Sequence, residues 1–171
     1  MIVGILTVSD RASRGEYEDL SGPAIVSYVD AALSTPWTAL AHIVPDGVEA
    51  VATAMIALCE AGAGLILCTG GTGPSPRDQT PEAMASIIDK ELPGFGELMR
   101  RVSLQDVPTA ILSRQSAGIR GNTLIVTLPG KPAAIKTCLD AVFPAIPYCL
   151  ELIGAGRIET HLQIVASFRP S

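Results

Sequence analysis

Leu65-Ile66-Leu67-Cys68-Thr69-Gly70-Gly71-Thr72-Gly73-Pro74 decides how the chain is read. Its first four residues are wholly apolar and too few for a helix, so they read as a strand buried on both faces. Polarity then switches within one residue, and a Gly/Pro-rich loop runs over residues 69–80. Thr80 is placed to cap a following helix and Pro81 to open it, over about 80–90. A buried strand, a loop and a helix in that order form half of a βαβ unit.

Outward from this stretch the same alternation recurs. Ile2–Val8 is a β-branched apolar run bounded by Ser9-Asp10-Arg11. Ser21 can cap a helix over 21–33 with Pro23 in its first turn. Residues 37–44 read as a second strand, stopped by Pro45. Val48, Val51, Ala52, Met55, Leu58 and Cys59 recur at helical spacing over 48–61, ended by Gly62. Downstream, Leu92-Pro93-Gly94 separates the 80–90 helix from one that ends near Asp106. Residues 108–120 predict a short helix and a turn, and Thr123–Leu128 a fourth strand. Pro132 opens a helix to about Val142, Phe143-Pro144 breaks it, and 145–153 forms one more. Residues 162–168 are expected to add an edge strand. With no repeat, low-complexity tract or linker, residues 1–171 read as a single domain. Alternation of this kind implies right-handed crossovers and a three-layer α/β fold, a doubly wound, mostly parallel sheet flanked by helices.

Bulk composition narrows the function. Apolar residues make up 48% and aromatics 4%, which suits a sheet covered by helices. A net charge of −5 gives no general attraction for nucleic acid, so an anionic ligand must be held by local groups. Cys59, Cys68, Cys138 and Cys149 form no CxxC pair, and His42 and His161 are the only histidines, which disfavours zinc. The N-terminal apolar run lacks basic residues ahead of it and reads as a strand rather than a signal peptide. The apolar region 51–68 is broken by Glu60, Gly62 and Gly64, so no membrane span is expected there and the expected place is the cytoplasm.

Ligands of such sheets bind beyond the carboxyl ends of the strands. Four polar or Gly-rich loops leave from there: Ser9 to Ser13, Pro45-Asp46-Gly47, Thr69 to Asp78, and Pro129-Gly130-Lys131-Pro132. In the third, three glycines in four positions permit positive φ and close approach of a ligand, and successive N–H groups can form an anion nest. Thr69, Thr72 and Arg77 could add donors. No Gly-Lys-Ser/Thr follows, so this is not a Walker A loop. Asp78 could hold Mg2+ beside a phosphate, or could equally cap a turn. Asp46 sits in Pro-Asp-Gly, an ordinary turn sequence, and only its place after a strand marks it out. Two carboxylates at one phosphate site suit metal-assisted phosphoryl chemistry. Ser9, Asp10, Arg11 and Ser13 offer hydroxyls and a cation, Lys131 could reach a phosphate, and Glu97 is favoured by the dipole of the helix it opens.

At these residues the chain resembles the molybdopterin adenylyltransferase family, comprising the bacterial MogA type, the G domain of gephyrin and its plant counterpart. The matching motifs are Ser9-Asp10-Arg11-Ala12-Ser13, Pro45-Asp46, Thr69 through Pro74, Arg77-Asp78 with Thr80-Pro81-Glu82, Pro93-Gly94-Phe95-Gly96-Glu97, Ala110-Ile111-Leu112-Ser113-Arg114, and Leu128-Pro129-Gly130 with Pro132. They keep the family's order and spacing. The resemblance implies the molybdenum cofactor biosynthesis fold and a homotrimer. It implies attack of the molybdopterin phosphate on the α-phosphate of Mg-ATP, giving adenylyl-molybdopterin and pyrophosphate. Asp46 and Asp78 match the family's functional carboxylates and are the expected Mg2+ ligands. Thr69, Gly70, Gly71, Thr72, Gly73 and Pro74 match its phosphate loop, and Ser113 and Arg114 its pterin-side pocket. Ser9, Asp10, Arg11, Ser13, Arg77, Glu97, Pro129, Gly130 and Pro132 complete the expected substrate contacts. A transient contact with the molybdenum-insertion protein is implied too. Residues 141–147 lack an insertion that some bacterial members carry. Three alternatives remain open: a MoaB-like protein, a pterin-binding scaffold without chemistry, and a nucleotide-binding domain with another acceptor.

Overall fold

Where a strand is buried on both faces, its alternate residues must each find a separate apolar layer, and that requirement builds this molecule. The structure, a computed structural model, describes residues 1–170. In chain order the elements are β1 (Ile2–Val8), α1 (Asp10–Ser13), α2 (Ser21–Ala32), β2 (Thr38–Val44), α3 (Val48–Glu60), β3 (Leu65–Thr69), α4 (Thr80–Ala85), β4 (Lys90–Glu91) and α5 (Pro93–Ser103). A 3-10 turn (Pro108–Leu112), β5 (Ala117–Arg120), β6 (Thr123–Leu128), α6 (Pro132–Val142) and α7 (Ile146–Leu152) follow.

The strands form one sheet in the order β2-β1-β3-β6-β5-β4. The first four are parallel, as the alternation predicts. Leu65 and Leu67 of β3 face a core completed by Ile25 and Val29 of α2, Ile135 and Leu139 of α6, and Ile146 and Leu150 of α7. Ile66 and Cys68, the residues between, face Val51, Met55 and Leu58 of α3 and Met84 of α4. The sheet is thus the middle of three layers. Thr7 pairs with Thr69 and Thr69 with Leu128, so the carboxyl ends of β1, β3 and β6 lie level and their loops leave together.

Several expectations are corrected. The 80–90 helix stops at Ala85, because Asp89 N–H donates to Ile119 O (2.7 Å) and Leu92 N–H to Ala117 O (2.8 Å), drawing 90–91 into the sheet. Residues 117–120, expected as a turn, are the strand β5, antiparallel to β4 and β6. Gly118 permits this, since a Cβ there would lie 2.6 Å from Ile88 Cδ1 and 3.1 Å from Lys90 O. The turn after Ser9 is the helix α1, with Ser9 Oγ accepting from Ala12 N–H at 3.2 Å. Ser21 does not cap α2: Asp19 Oδ1 accepts from Ser21 N–H (2.9 Å) and Gly22 N–H (3.1 Å) instead. Nor does Thr80 cap α4, for its hydroxyl donates to Gly70 O at 2.8 Å. Residues 162–168 form no strand, because Ile164 and Val165 turn their N–H groups back onto His161 O. An isolated bridge, Leu33 to Thr160, lies just ahead of this segment.

Residues Pro132–Leu152 are long and apolar enough to cross a membrane on length and composition alone. Here a 3-10 turn at Phe143–Ala145 interrupts them, and Ile135, Leu139, Phe143 and Leu150 are buried against the sheet. They therefore behave as core helices. Leu67→Ala, which empties the centre of that layer, should lower the unfolding free energy by about 2–5 kcal/mol. A urea titration measures it as a lower midpoint with an unchanged slope.

Candidate functional site

From β1 the chain crosses to β2 on one side and later returns to β3 on the other. The loops after β1 and β3 therefore part, and a crevice opens at this switch point. A hollow of about 320 Å3 lies there, lined by Ser9, Asp10, Arg11, Asp46, Thr69, Gly70, Gly71, Arg77, Asp78 and Gly130 among others. Ten of the predicted site residues thus share one cavity.

The glycine loop needs its glycines for space. Gly70 (φ 96°) and Gly71 (φ 63°) occupy the left-handed region. A Cβ on Gly70 would lie 2.2 Å from Val8 O, and one on Gly71 would lie 2.4 Å from Thr80 Oγ1 and 3.3 Å from Asp46 Oδ1. Gly73 has an ordinary φ, yet a Cβ there would lie 2.9 Å from Asp78 Oδ2. The loop therefore runs directly against both predicted carboxylates. Among the described residues, the N–H groups of Gly71, Thr72 and Gly73 meet no main-chain acceptor. Free successive N–H groups suit an anion. The Thr69 hydroxyl is committed elsewhere, donating to Pro129 O at 2.8 Å.

The carboxylates are held by main-chain groups. Asp10 N–H donates to Asp46 Oδ2 (3.0 Å) and Asp46 N–H to Asp10 Oδ1 (3.1 Å), a reciprocal pair that locks α1 to the end of β2. Asp78 Oδ2 accepts from Ser75 N–H at 3.0 Å. Asp19 also lines the hollow and takes the Thr7 hydroxyl at 2.8 Å. Four aspartates, Asp10, Asp19, Asp46 and Asp78, thus face two arginines, Arg11 and Arg77, for a formal charge of −2 in the lining. The Arg11 guanidinium lies 5.2 Å from the Tyr17 ring centroid.

Behind the glycine loop lies a second, mostly apolar hollow of about 510 Å3. Thr72, Gly73, Pro74, Val107, Ala110, Leu112, Ser113, Gln115, Pro129, Lys131 and Ala134 are in its wall, and Gly130 borders both hollows. Ser113 donates its hydroxyl to Gln115 Oε1. Arg114 points elsewhere: its Nε donates to Gly73 O (2.9 Å), and the guanidinium also engages Asp78 O and the Glu82 carboxylate. This pairing holds the Glu82 carboxyl below the usual glutamate range, chiefly through the hydrogen bond from Arg114.

Four predicted residues lie outside both hollows, Arg114 among them. Glu97 is exposed on α5, Ser13 spends its hydroxyl on Asp10 O at 2.9 Å, and Pro132 is the first residue of α6. Conversely, Thr7, Tyr17, Asp19, Ser21 and Gln115 line the hollows but were not named as site residues from the sequence. Ser21 Oγ donates to Gly130 O at 2.7 Å and so ties α2 to the fourth loop. Asp19-Leu20-Ser21-Gly22 carried a signal, since an aspartate just ahead of a helix is a capping residue.

Comparison with known proteins gives the family of the chain. The family model described as "probable molybdopterin binding domain" matches residues 4–148. The chain belongs to that molybdopterin-binding domain family. A molybdopterin adenylyltransferase of Helicobacter pylori (strain ATCC 700392 / 26695) is 52% identical over 169 residues, covering 98% of this chain and 96% of the relative. The molybdopterin adenylyltransferase of Escherichia coli (strain K12) is 42% identical, covering 98% and 93%. Among solved structures, the molybdopterin biosynthesis enzyme MoaB of Thermus thermophilus superposes with a TM-score of 0.83 at 42% identity, covering 92% of this chain and 99% of that one. The α/β fold inferred from strand alternation is therefore that of the MoaB and MogA proteins.

Two measurements test the site's construction. Gly70→Ala should cost at least about 1–2 kcal/mol from its left-handed backbone alone, and more from the Val8 carbonyl. Gly130→Ala, whose Cβ would meet only Gly70 Cα at 3.7 Å, should be far milder by thermal unfolding. The Glu82–Arg114 pair stabilises above the ordinary glutamate pKa of about 4.3, and its contribution is lost as pH falls through the depressed folded-state value. Both side chains are partly exposed, so the loss should stay under about 1 kcal/mol and vanish in Glu82→Gln.

Proposed function

We propose that this chain is a molybdopterin adenylyltransferase. A phosphate oxygen of molybdopterin attacks the α-phosphorus of ATP, the bond from that phosphorus to the β-phosphate oxygen breaks, and adenylyl-molybdopterin and pyrophosphate leave. The single observation that carries this reading is a glycine loop with free N–H groups standing between a carboxylate-rich hollow and an apolar one. Two substrates with phosphates meeting at one loop fit that layout, with the nucleotide on the aspartate side and the pterin on the Ser113 side.

A lining of formal charge −2 would repel a polyphosphate unless a divalent cation came with it. No group of three or more ligating side chains is preassembled among the described residues, which agrees with Mg2+ held by one or two carboxylates and completed by substrate phosphates. Asp46 and Asp78 are our assignment for those carboxylates. Held by Asp46 and Asp78, Mg2+ would supply neutralisation of the phosphate charge. Arg11 and Arg77 add cationic charge, and the Gly71 to Gly73 N–H groups orient the phosphates. Ser9, Asp10 and Gly130 shape the same wall. Lys131 and Ser113 face the pterin side, where Lys131 can meet the pterin's phosphate. The family resemblance extends the reading to a homotrimer, and the exposed Ile43 on the edge strand β2 offers apolar surface for it.

The test is pyrophosphate release with purified protein, molybdopterin, ATP and Mg2+. Release should require all three. Asp46→Asn and Asp78→Asn should each lower turnover on the order of 10²-fold or more while circular dichroism stays native. Retained pterin without pyrophosphate would instead make the chain a MoaB-like binder, and release without pterin would make it a nucleotidyltransferase for another acceptor. Full rates in both variants would remove the two aspartates from the chemistry.

A further inference from the structure

We propose that Arg114 is a positioning residue that couples the two hollows, by holding the glycine loop and the Asp78 turn in one fixed relation. This rests on the reading of the polar hollow as the nucleotide side and the apolar hollow as the pterin side.

Five bonds from one residue carry the argument. The Arg114 main-chain N–H donates to Thr72 O at 2.8 Å, and its Nε to Gly73 O at 2.9 Å. Its remaining nitrogens reach the main-chain carbonyl of Asp78 and both carboxylate oxygens of Glu82 in the first turn of α4. Arg114 therefore clamps the glycine loop from behind, the turn that carries Asp78, and the helix beyond it. All of these guanidinium bonds go to protein acceptors, and the side chain borders neither hollow, unlike the pterin-side place that the family resemblance implies for it. A lysine could not replace it, because one ammonium cannot span a planar fork of acceptors.

The residues on either side of Arg114 belong to the other hollow. Ser113 and Gln115 line it and are bonded to each other, and Gln115 is only 2% exposed. Gln115 is anchored further, its carbonyl accepting from Arg100 at 2.8 Å and its Nε2 lying 3.4 Å from Cys138 Sγ. Residues 113–115 thus form a strut with the apolar hollow on one side and the Asp78 turn on the other. A molecule seated against Ser113 stiffens that strut, and the stiffening reaches Asp78 through the Arg114 guanidinium. Coupling of this kind is reciprocal, so each substrate should tighten the other by the same factor.

Full-length protein and Arg114→Lys are compared in two ways. Amide hydrogen exchange over residues 71–80, with no ligand added, should quicken about tenfold in Arg114→Lys. The Kd of Mg2+ with α,β-methylene-ATP should tighten on the order of five- to tenfold when molybdopterin saturates the wild type, and that ratio should fall to about one in the variant. A role confined to global stability would move the melting temperature but leave the ratio. Unchanged exchange would overturn the clamp. Faster exchange with the wild-type ratio would overturn the coupling. A wild type that binds neither probe and turns over no substrate would sink the functional reading and the coupling with it, while exchange still judges the clamp. Should Arg114→Lys not fold, Glu82→Gln releases the same guanidinium from its carboxylate and should show smaller changes in the same direction.

Discussion

The carbonyl oxygen of Val8 stands 2.2 Å from where a Cβ on Gly70 would lie, and this close approach governs the rest of the site. Val8 is the last residue of β1, and Gly70 the first residue after β3. With no side chain between them, the two strand ends stay level and the loop after β3 folds back over the end of β1. Thr80 then closes the loop from its far end, its N–H donating to Gly71 O (3.1 Å) and its hydroxyl to Gly70 O (2.8 Å). The excursion between them is thereby pinned at both ends, and Asp78, near its close, is brought back to the mouth of the crevice that Asp46 borders from β2.

Electrostatics follow from how those carboxylates are held. Asp10 and Asp46 satisfy each other's main-chain N–H groups, and Asp78 is satisfied by Ser75 N–H. None of these bonds comes from a cation. Main-chain dipoles fix the orientation of a carboxylate without cancelling its charge, whereas an arginine partner would do both. Glu82, outside the hollow, shows the contrast: it has such a partner and is held in its ionised form by it. The hollow therefore keeps a surplus of negative charge in fixed positions. On the function proposed here, a divalent cation accompanying a polyphosphate would offset that surplus.

How much of this was legible in the sequence depended on whether a residue's role was local. The parallel strands were readable because Ile2–Val8, Leu65–Thr69 and Thr123–Leu128 are apolar runs too short for helices. The antiparallel edge was not, since Ala117–Arg120 carries a glycine and an arginine, and only its partners at 90–91 make it a strand. Threonine and serine hydroxyls were read as caps because capping is their commonest local use. Thr80 and Ser21 instead bond across gaps of 10 and 109 residues, to Gly70 and Gly130, which no local pattern encodes. The same limit hid Thr7, whose hydroxyl looks like an ordinary strand residue until Asp19 is found opposite it.

Ser113 and Arg114 show what a motif hides when adjacent residues are read as a unit. Ser113 has extended backbone (φ −75°, ψ 132°), and successive side chains of an extended chain point to opposite sides. Ser113 and Gln115 accordingly enter the apolar hollow, while Arg114 between them turns to the glycine loop and Asp78. Adjacency in sequence is therefore separation in space here, with the thickness of one backbone between the two hollows. A hydroxyl that lines one hollow and a guanidinium that holds the glycine loop can then share a dipeptide without sharing a pocket. That arrangement requires the intervening backbone to be stiff, and the bonds joining Gln115 to Arg100 and Cys138 supply the stiffness on the side away from Asp78.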